Sequence, residues 1–235
     1  MRQGNLDKAR TEVNYVLRLD PQNVKALRLK WECDRKQREQ EKLREQQKIR
    51  QRAIQAYEEG RRLIEQGRRL VDEGKRWDGI MKIYEAKGCF DRALADWHDY
   101  AEAKEAKFSA CMTLGRLFFE DRDYGTAMLM YTEARGLADT QQKSRQVEQA
   151  MKEARDAKIH MEQFEALKKR AEEAFAAGKF DDAIRIYEEA LKFGGITEKE
   201  REGLRKAIAN AFYRKHLEVG EEYLRKRKLA EAKDE

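Results

Sequence analysis

The stretch GKFDDAIRIYEEAL, residues 178–191, carries a spacing of small and large residues that returns elsewhere in the chain. Its glycine is followed by an aromatic residue, an alanine, a second aromatic residue and a second alanine: Gly178, Phe180, Ala183, Tyr187 and Ala190. In DYGTAMLMYTEA, residues 123–134, two tyrosines and two alanines stand at the same separations. Self-similarity of this kind indicates a helical repeat, and it determines how the remaining segments are interpreted.

Three further segments match the pattern in part: GCFDRALADWHDY at 88–100, GNLDKARTEVNYVLRLDP at 4–21 and RKLAEA at 227–232. Upstream of the first alanine of a match, aromatic residues lie nine positions earlier, at Tyr84, Phe118 and Tyr223. Small residues lie twelve positions earlier, at Gly115, Ala171 and Gly220. Small residues let two antiparallel helices approach closely, and large residues fill the space between neighbouring pairs.

Together these spacings resemble the tetratricopeptide repeat (TPR), W-x2-L-G-x2-Y followed by A-x3-F-x2-A-x4-P. The resemblance implies an all-α fold in which antiparallel helix pairs stack into an elongated α-solenoid or superhelix. The composition agrees with it, because 41% charged residues and a single proline in 235 residues suit long amphipathic helices and argue against an all-β protein.

The distances between matches are irregular. Ala93 and Ala127 are 34 residues apart, which is the length of one repeat, whereas Ala127 and Ala183 are 56 residues apart. The segments that hold the extra length contain no proline and keep helical periodicity. We therefore expect unusually long helices there, continuous or nearly so over 24–56 and 141–177.

This interpretation divides the chain into five parts. We expect the second helix of a truncated repeat at 1–22, long charged helices with glycines at heptad spacing at 23–76, and two repeats at 77–135. A long helix and a repeat follow at 136–195, and a long helix with a truncated repeat at 196–235. Since both ends cut through a repeat, we expect the chain to be part of a longer α-solenoid.

Glycines stand seven residues apart in YEEGRRLIEQGRRLVDEGKRW, residues 57–77, at Gly60, Gly67 and Gly74. Each costs a helix interior about 1 kcal/mol relative to alanine. On a helix they share one face with Leu63, Ile64, Leu70 and Val71, while the arginines point away. We expect a closely packed antiparallel partner on that face, namely the preceding helix.

No catalytic constellation is present. The three histidines are isolated, and the three cysteines show no CxxC spacing, so neither type of residue forms a metal-binding motif. We expect no enzymatic activity, no cofactor and no small-molecule substrate, and we expect the cysteines to be buried or semi-buried thiols. No apolar run approaches the roughly 20 residues of a membrane helix, so we expect no membrane insertion within this sequence, and its residues do not specify a compartment.

The resemblance implies a protein–protein interaction scaffold that binds a partner protein or peptide on the solenoid surface. Such arrays also occur in bacterial envelope, secretion and pilus assemblies. By the family pattern, the residues on the concave face are Lys82, Glu85, Met112, Arg116, Phe119, Lys168, Glu172 and Phe175. Packing of Phe119 and Phe175 against the adjacent repeat is the structural alternative.

Two other functions remain open at this stage. Residues 34–52 hold eight basic and four acidic side chains and could form a basic helical module that binds nucleic acid. Because aromatic residues and a dense basic cluster are missing there, a solvated helical arm is the favoured interpretation. The array could also be the docking arm of an enzyme whose catalytic domain lies outside this sequence.

Overall fold

The computed structural model describes the backbone of residues 3–234 and the side chains of residues 6–227. Within that range the chain forms eight helices and no strand, so the predicted all-α class is confirmed. The helices are α1 (Gln3–Leu19), α2 (Val24–Asp72), α3 (Arg76–Asp96), α4 (Ala101–Glu120), α5 (Tyr124–Leu137), α6 (Gln141–Ala176), α7 (Phe180–Leu191) and α8 (Glu198–Asp234). The chain divides into two compact units, Met1–Glu148 and Gln149–Glu235.

The predicted long helices are present. The 49 residues of α2 include the whole of 24–56, and the 36 residues of α6 cover the second predicted segment as far as Ala176. Asn23 begins α2 by accepting a hydrogen bond from the Ala26 amide, which satisfies one of the unpaired amides of the first turn. The extra length between the matching segments is therefore helical.

Three helix hairpins share one local geometry. The residue that reverses the chain has a positive φ in each of them: +80° at Gly74, +61° at Arg122 and +70° at Gly178. In each hairpin the amide after this residue donates to the carbonyl five residues before it, as Lys75 does to Leu70 at 2.9 Å. These are the hydrogen bonds of the Schellman motif, which ends a helix by providing donors to the last unpaired carbonyls.

Small residues lie at matching positions on the two helices of every hairpin. One lies seven residues before the turn residue and one lies five residues after it, giving the pairs Gly67 with Gly79, Gly115 with Ala127 and Ala171 with Ala183. All six are buried. A Cβ atom on Gly79 would lie 2.6 Å from the carbonyl oxygen of Gly67, so the two backbones are nearly in contact.

The glycine stripe of α2 packs against α3, the following helix. A Cβ atom at Gly60 would lie 2.6 Å from the ring of Phe90, and one at Gly67 would lie 2.6 Å from Ile83. The expectation that the preceding helix is the partner is therefore wrong. Gly60 is about 54 Å from the start of α2, and the 17 residues of α1 span only about 26 Å. Gly74, in turn, is the turn residue and not a member of the packed stripe.

The helix pair predicted within 77–100 is not a hairpin. α3 runs without interruption from Arg76 to Asp96, and Gly88 lies inside it. The small residue at the centre of the observed hairpin contact is Gly79, whereas the sequence pattern predicted Ala93. Ala93 lies fourteen residues further along the same face of α3 and is also buried. Within 77–135, therefore, only α4 and α5 form a helix hairpin with a positive-φ turn residue in this segment.

A second correction concerns the C-terminal segment. The predicted truncated repeat needs a turn before Leu229, yet α8 continues as a single helix to Asp234. The pattern that suggested a turn consists of Leu229 and Ala232, whose side chains lie outside the described residues. Their spacing fits a continuing helix as well as a new one, because alanine and leucine are both strong helix formers.

Arg76, the first residue of α3, connects the first hairpin to the second. Its guanidinium donates to Asp121 at 2.7 Å, to Glu120 at 2.8 Å and to the carbonyl of Leu117 at 2.7 Å. A cation is favourable here because the carbonyls at the end of α4 carry partial negative charge. The bonds hold α3 against the end of α4.

The second unit is built around the remaining hairpin. Phe164 and Ala171 of α6, Tyr187 of α7 and Leu204 of α8 are buried in one cluster. Thr197 and Glu200 begin α8 with a capping box, in which each side chain accepts a hydrogen bond from the other residue's backbone amide. The unit is therefore a hairpin covered by the first half of α8.

The turn glycine provides a stability test. Replacing Gly74 with alanine is expected to lower the free energy of unfolding by about 1 kcal/mol, because an L-residue is strained at a φ of +80°. Gly88 has equally open space around its Cβ position but lies inside α3. Alanine there is expected to raise the free energy by up to about 1 kcal/mol. Urea denaturation monitored by circular dichroism measures the two changes in the free energy of unfolding. Changes of the same sign in the two variants would contradict the assignment of Gly74 to the turn.

Candidate functional site

The first group of residues predicted for the concave face lies on α3. Lys82 and Glu85 are separated by one helical turn, and the Lys82 ammonium lies 2.7 Å from the Glu85 carboxylate. Both side chains are partly exposed, with relative exposures of 37% and 49%. An exposed pair of this kind contributes little to stability, so the two charges are accessible to solvent.

The second group lies on the last half of α4. Arg116 is well exposed and its guanidinium lies 3.7 Å from the carboxylate of Glu120, whereas Met112 and Phe119 are half-buried. The Phe119 ring meets the Tyr124 ring edge-on, with centroids 5.5 Å apart. Phe119 therefore packs across its own hairpin, onto the first residue of α5.

The third group lies on α6, in the second unit. Lys168 is 3.8 Å from Glu165, Glu172 is exposed, and the half-buried Phe175 meets Phe180 edge-on at 5.5 Å. Phe175 thus repeats the position and the contact of Phe119, three residues before the turn residue. Both aromatics close the end of a hairpin, and a role for the three groups in binding stays a prediction.

A groove that the sequence interpretation did not identify runs between α2 and α4, with a volume of about 620 Å³. The lining residues are Tyr57, Arg61, Ile64, Glu65 and Arg68 of α2, Phe90 of α3, Ala101, Glu102, Glu105, Ala106 and Ser109 of α4, and Asp139. α2 and α4 are the first helices of two successive hairpins.

The floor of the groove is aromatic. Phe90 is fully buried, and the ring of Tyr57 lies over it at a centroid distance of 6.0 Å. Tyr57 also contacts Tyr100 at 5.2 Å, and the guanidinium of Arg61 lies 6.0 Å from the Tyr57 ring. Ile64 is half-buried beside this cluster. The contacts fix Tyr57 in place, so the groove has a preformed apolar base.

The walls of the groove differ in net charge. The α2 wall holds Arg61, Glu65 and Arg68 and is net positive, whereas the α4 wall holds Glu102 and Glu105 and is net negative. Lys143 forms ion pairs with Glu105 and, at 2.8 Å, with Asp139 at the end of the groove. The hydrogen bond from Lys143 lowers the pKa of Asp139 below its usual value. The groove therefore presents fixed charges of both signs on either side of an apolar floor.

The predicted repeat that begins at residue 77 puts its first helix within α3, so the sequence interpretation does not identify the groove beside α2. A signal for the correct assignment is present in the sequence: GKRWDGI at 74–80 matches GKFDDAI at 178–184. Glycine replaces alanine at Gly79, and Arg76 replaces the aromatic residue. With that alignment, residues 57–72 form the first helix, and one face of it lines the groove, with Tyr57, Arg61, Ile64, Glu65 and Arg68.

A second polar cluster joins α3, α4 and α5. Lys87 lies 2.6 Å from Glu133 and 3.8 Å from Asp91, Lys107 also pairs with Asp91, and the thiol of Cys111 lies 3.8 Å from Glu133. Burial, together with the neighbouring Glu133 carboxylate, raises the pKa of the Cys111 thiol to about 12. A thiol that stays protonated at neutral pH is a poor nucleophile, and the ion pairs of this cluster join α3, α4 and α5.

The raised pKa of Cys111 leads to a labelling prediction. In a chain carrying Cys33→Ser and Cys89→Ala, a thiol-reactive disulfide reagent at pH 8 is expected to react at least about a hundredfold more slowly with the folded than with the urea-unfolded protein. Stability is also expected to fall between about pH 9 and 12, because the thiol ionises in the unfolded chain first. Rapid labelling of the folded chain would contradict the buried position.

The cysteines are otherwise as expected. Cys33, Cys89 and Cys111 are all buried and unpaired, which confirms the prediction of buried thiols. Among the described side chains, residues 6–227, no group of three histidine, cysteine or acidic residues is placed to hold a metal ion. Over the helices that the structure describes, none combines the length and hydropathy required to cross a membrane.

Comparison of the chain with protein-family models and with curated proteins gives no match.

Proposed function

We propose that the chain is a non-enzymatic, TPR-type scaffold for protein–protein interaction, and that the groove between α2 and α4 binds a helical or extended segment of a partner protein. The observation that carries the proposal is the groove itself, with an aromatic floor and charged walls between the first helices of two successive hairpins. Three hairpins with one register support the repeat assignment.

The chemistry of the groove suits a polypeptide. Tyr57 and Ile64 offer aromatic and apolar surface that a partner's apolar side chains can cover, and the buried Phe90 ring supports Tyr57 from beneath. The basic wall on α2 and the acidic wall on α4 select a segment with charges on both flanks and fix its direction. Partner segments that lie in grooves between helices are recognised in this way, through an apolar stripe at helical spacing.

A pair of adjacent arginines gives a matched test. Arg61 lines the groove, whereas Arg62 is exposed on the same helix and does not line it. Peptides selected on the immobilised chain from a random library of about 16 residues serve as probes. The Arg61→Glu variant is expected to bind them about tenfold more weakly than the parent, which corresponds to about 1.4 kcal/mol. The Arg62→Glu variant is expected to bind them normally.

Fluorescence anisotropy of labelled peptides measures these affinities, and thermal melting verifies that both variants are folded. Equal binding by the two variants would contradict the groove assignment. A loss of binding in Arg116→Glu with no loss in Arg61→Glu would place the site on the end of α4, as the sequence pattern predicted. Steep loss of oligonucleotide binding with rising salt, without peptide binding, would favour the nucleic-acid alternative.

A further inference from the structure

A second groove, of about 740 Å³, lies in the first unit between α1 and α2. Its apolar lining consists of Leu6, Ala9, Leu29, Cys33 and Leu43, and its polar lining of Glu32, Lys36, Glu39 and Gln40. Leu29 and Leu43 are about half exposed to solvent, with relative exposures of 50% and 55%. The groove is separate from the candidate site, which uses the opposite end of α2.

The sequence of α1 has the register of the second helix of a hairpin. Gly4, Leu6, Ala9, Val13 and Val16 have the same separations as Gly178, Phe180, Ala183, Tyr187 and Ala190. At the positions of Ala9 and Val16, the second helices of the three hairpins have buried residues: Gly79 and Ala86, Ala127 and Ala134, and Ala183 and Ala190. In α1, Ala9 and Val16 are both exposed. Among the described residues, this face of α1 is therefore left exposed.

The second half of α8 has the residue pattern of the first helix of a hairpin, and its apolar face is exposed. Tyr213, Leu217, Gly220 and Leu224 form a stripe at helical spacing, and the three large residues are 64%, 42% and 61% exposed. Gly220 lies at the centre of the stripe, and a Cβ atom there would have nothing within 4 Å. Gly67, Gly115 and Ala171 hold the corresponding central position in the first helices of the hairpins, where a second helix packs on them.

We propose that the α8 stripe of one copy of the chain occupies the groove between α1 and α2 of a second copy. The contact recreates a hairpin between two chains, with Gly220 opposite Ala9 as Gly67 is opposite Gly79. α2 lies against α3, the second helix of its hairpin, and also against α4, the first helix of the next hairpin. A helix from a second copy, placed in the groove between α1 and α2, would likewise lie against a second helix (α1) and the first helix of the next hairpin (α2). Because the two surfaces differ, the contact is heterologous and joins chains head to tail.

Two single substitutions block the two surfaces separately. Ala9→Arg fills the groove with a charged side chain, and Gly220→Arg places one in the middle of the stripe. Both positions are exposed and surrounded by open space or solvent, so the fold is retained. Gly203→Arg is the matched control, because Gly203 is an exposed glycine of α8 with open space and lies outside the stripe.

Sedimentation velocity over roughly 1–200 µM tests the proposal, since interfaces of moderate size dissociate in that range. The parent chain and Gly203→Arg are expected to increase in average mass with concentration. Ala9→Arg and Gly220→Arg are each expected to remain monomers, whereas their equimolar mixture is expected to form a dimer and no larger species. A monomeric parent chain, or a mixture that does not associate, would overturn the proposal. So would continued association of either blocked variant alone.

Discussion

Replacing Gly67 with alanine is expected to lower the free energy of unfolding by about 2–3 kcal/mol, although alanine is the better helix former by about 1 kcal/mol. The new Cβ atom would lie 2.6 Å from Ile83, 2.9 Å from the carbonyl oxygen of Gly79 and 3.2 Å from the amide nitrogen of Ile83. Two of these neighbours are backbone atoms that cannot rotate away, so α2 and α3 must separate. Their separation exposes the most extensive helix–helix contact in the first unit.

The control for this substitution lies in the same helix pair. Gly88 is inside α3 with open space at its Cβ position, so Gly88→Ala is expected to raise the free energy of unfolding by up to about 1 kcal/mol. Urea denaturation monitored by circular dichroism gives both values. If Gly67→Ala proves as stable as the parent, the close approach of the two helices at Gly67 and Gly79 is wrong.

Replacing Phe90 with alanine is expected to have the largest effect, a loss of about 3–5 kcal/mol, because a fully buried aromatic ring leaves a cavity. The ring lies against Gly60 of α2 and beneath Tyr57. Its removal therefore loosens both the helix pair and the floor of the candidate groove. The same urea titration measures the loss, and peptide affinity is expected to fall with it.

A double-mutant cycle isolates the contact between the ring and the glycine. In the parent, Gly60→Ala is expected to cost about 1–2 kcal/mol, since its Cβ atom would lie 2.6 Å from the Phe90 ring. In the Phe90→Ala background the ring is absent, and the same substitution is expected to be neutral or to stabilise by up to about 1 kcal/mol. A coupling energy of about 2 kcal/mol follows. An equal cost in both backgrounds would exclude the ring as the neighbour of Gly60.

Several properties could be predicted from the sequence. The all-α class followed from composition and periodicity, and the long helices predicted over 24–56 and 141–177 followed from helical periodicity without proline, the second of them ending at Ala176. The hairpins around Ala127 and Ala183 followed from the spacing of small and aromatic residues. These are local properties, because helix continuity and the identity of an apolar face depend on residues within a few turns.

The candidate groove could not be predicted in the same way, and its location depended on the register of the first hairpin. Ala93 and Gly79 lie fourteen residues apart on one face of α3, and both are buried, so the periodicity of the helix fits either as the centre of the contact. The choice is made by Gly74, where the helix ends and the chain reverses with a positive φ.

The sequence by itself determined that the chain is helical, that 24–56 and most of 141–177 run without a break, and which faces of those helices are apolar. Only the tertiary structure decided which neighbour covers each face: that the glycines of α2 meet α3, that Gly74 is a turn while Gly88 is helical, and that α2 and α4 leave a groove between them. The physical reason is that hydrophobic burial has no direction of its own. A stripe of small and apolar residues specifies that a partner is required, and the packing of the whole chain selects the helix that fits closely enough.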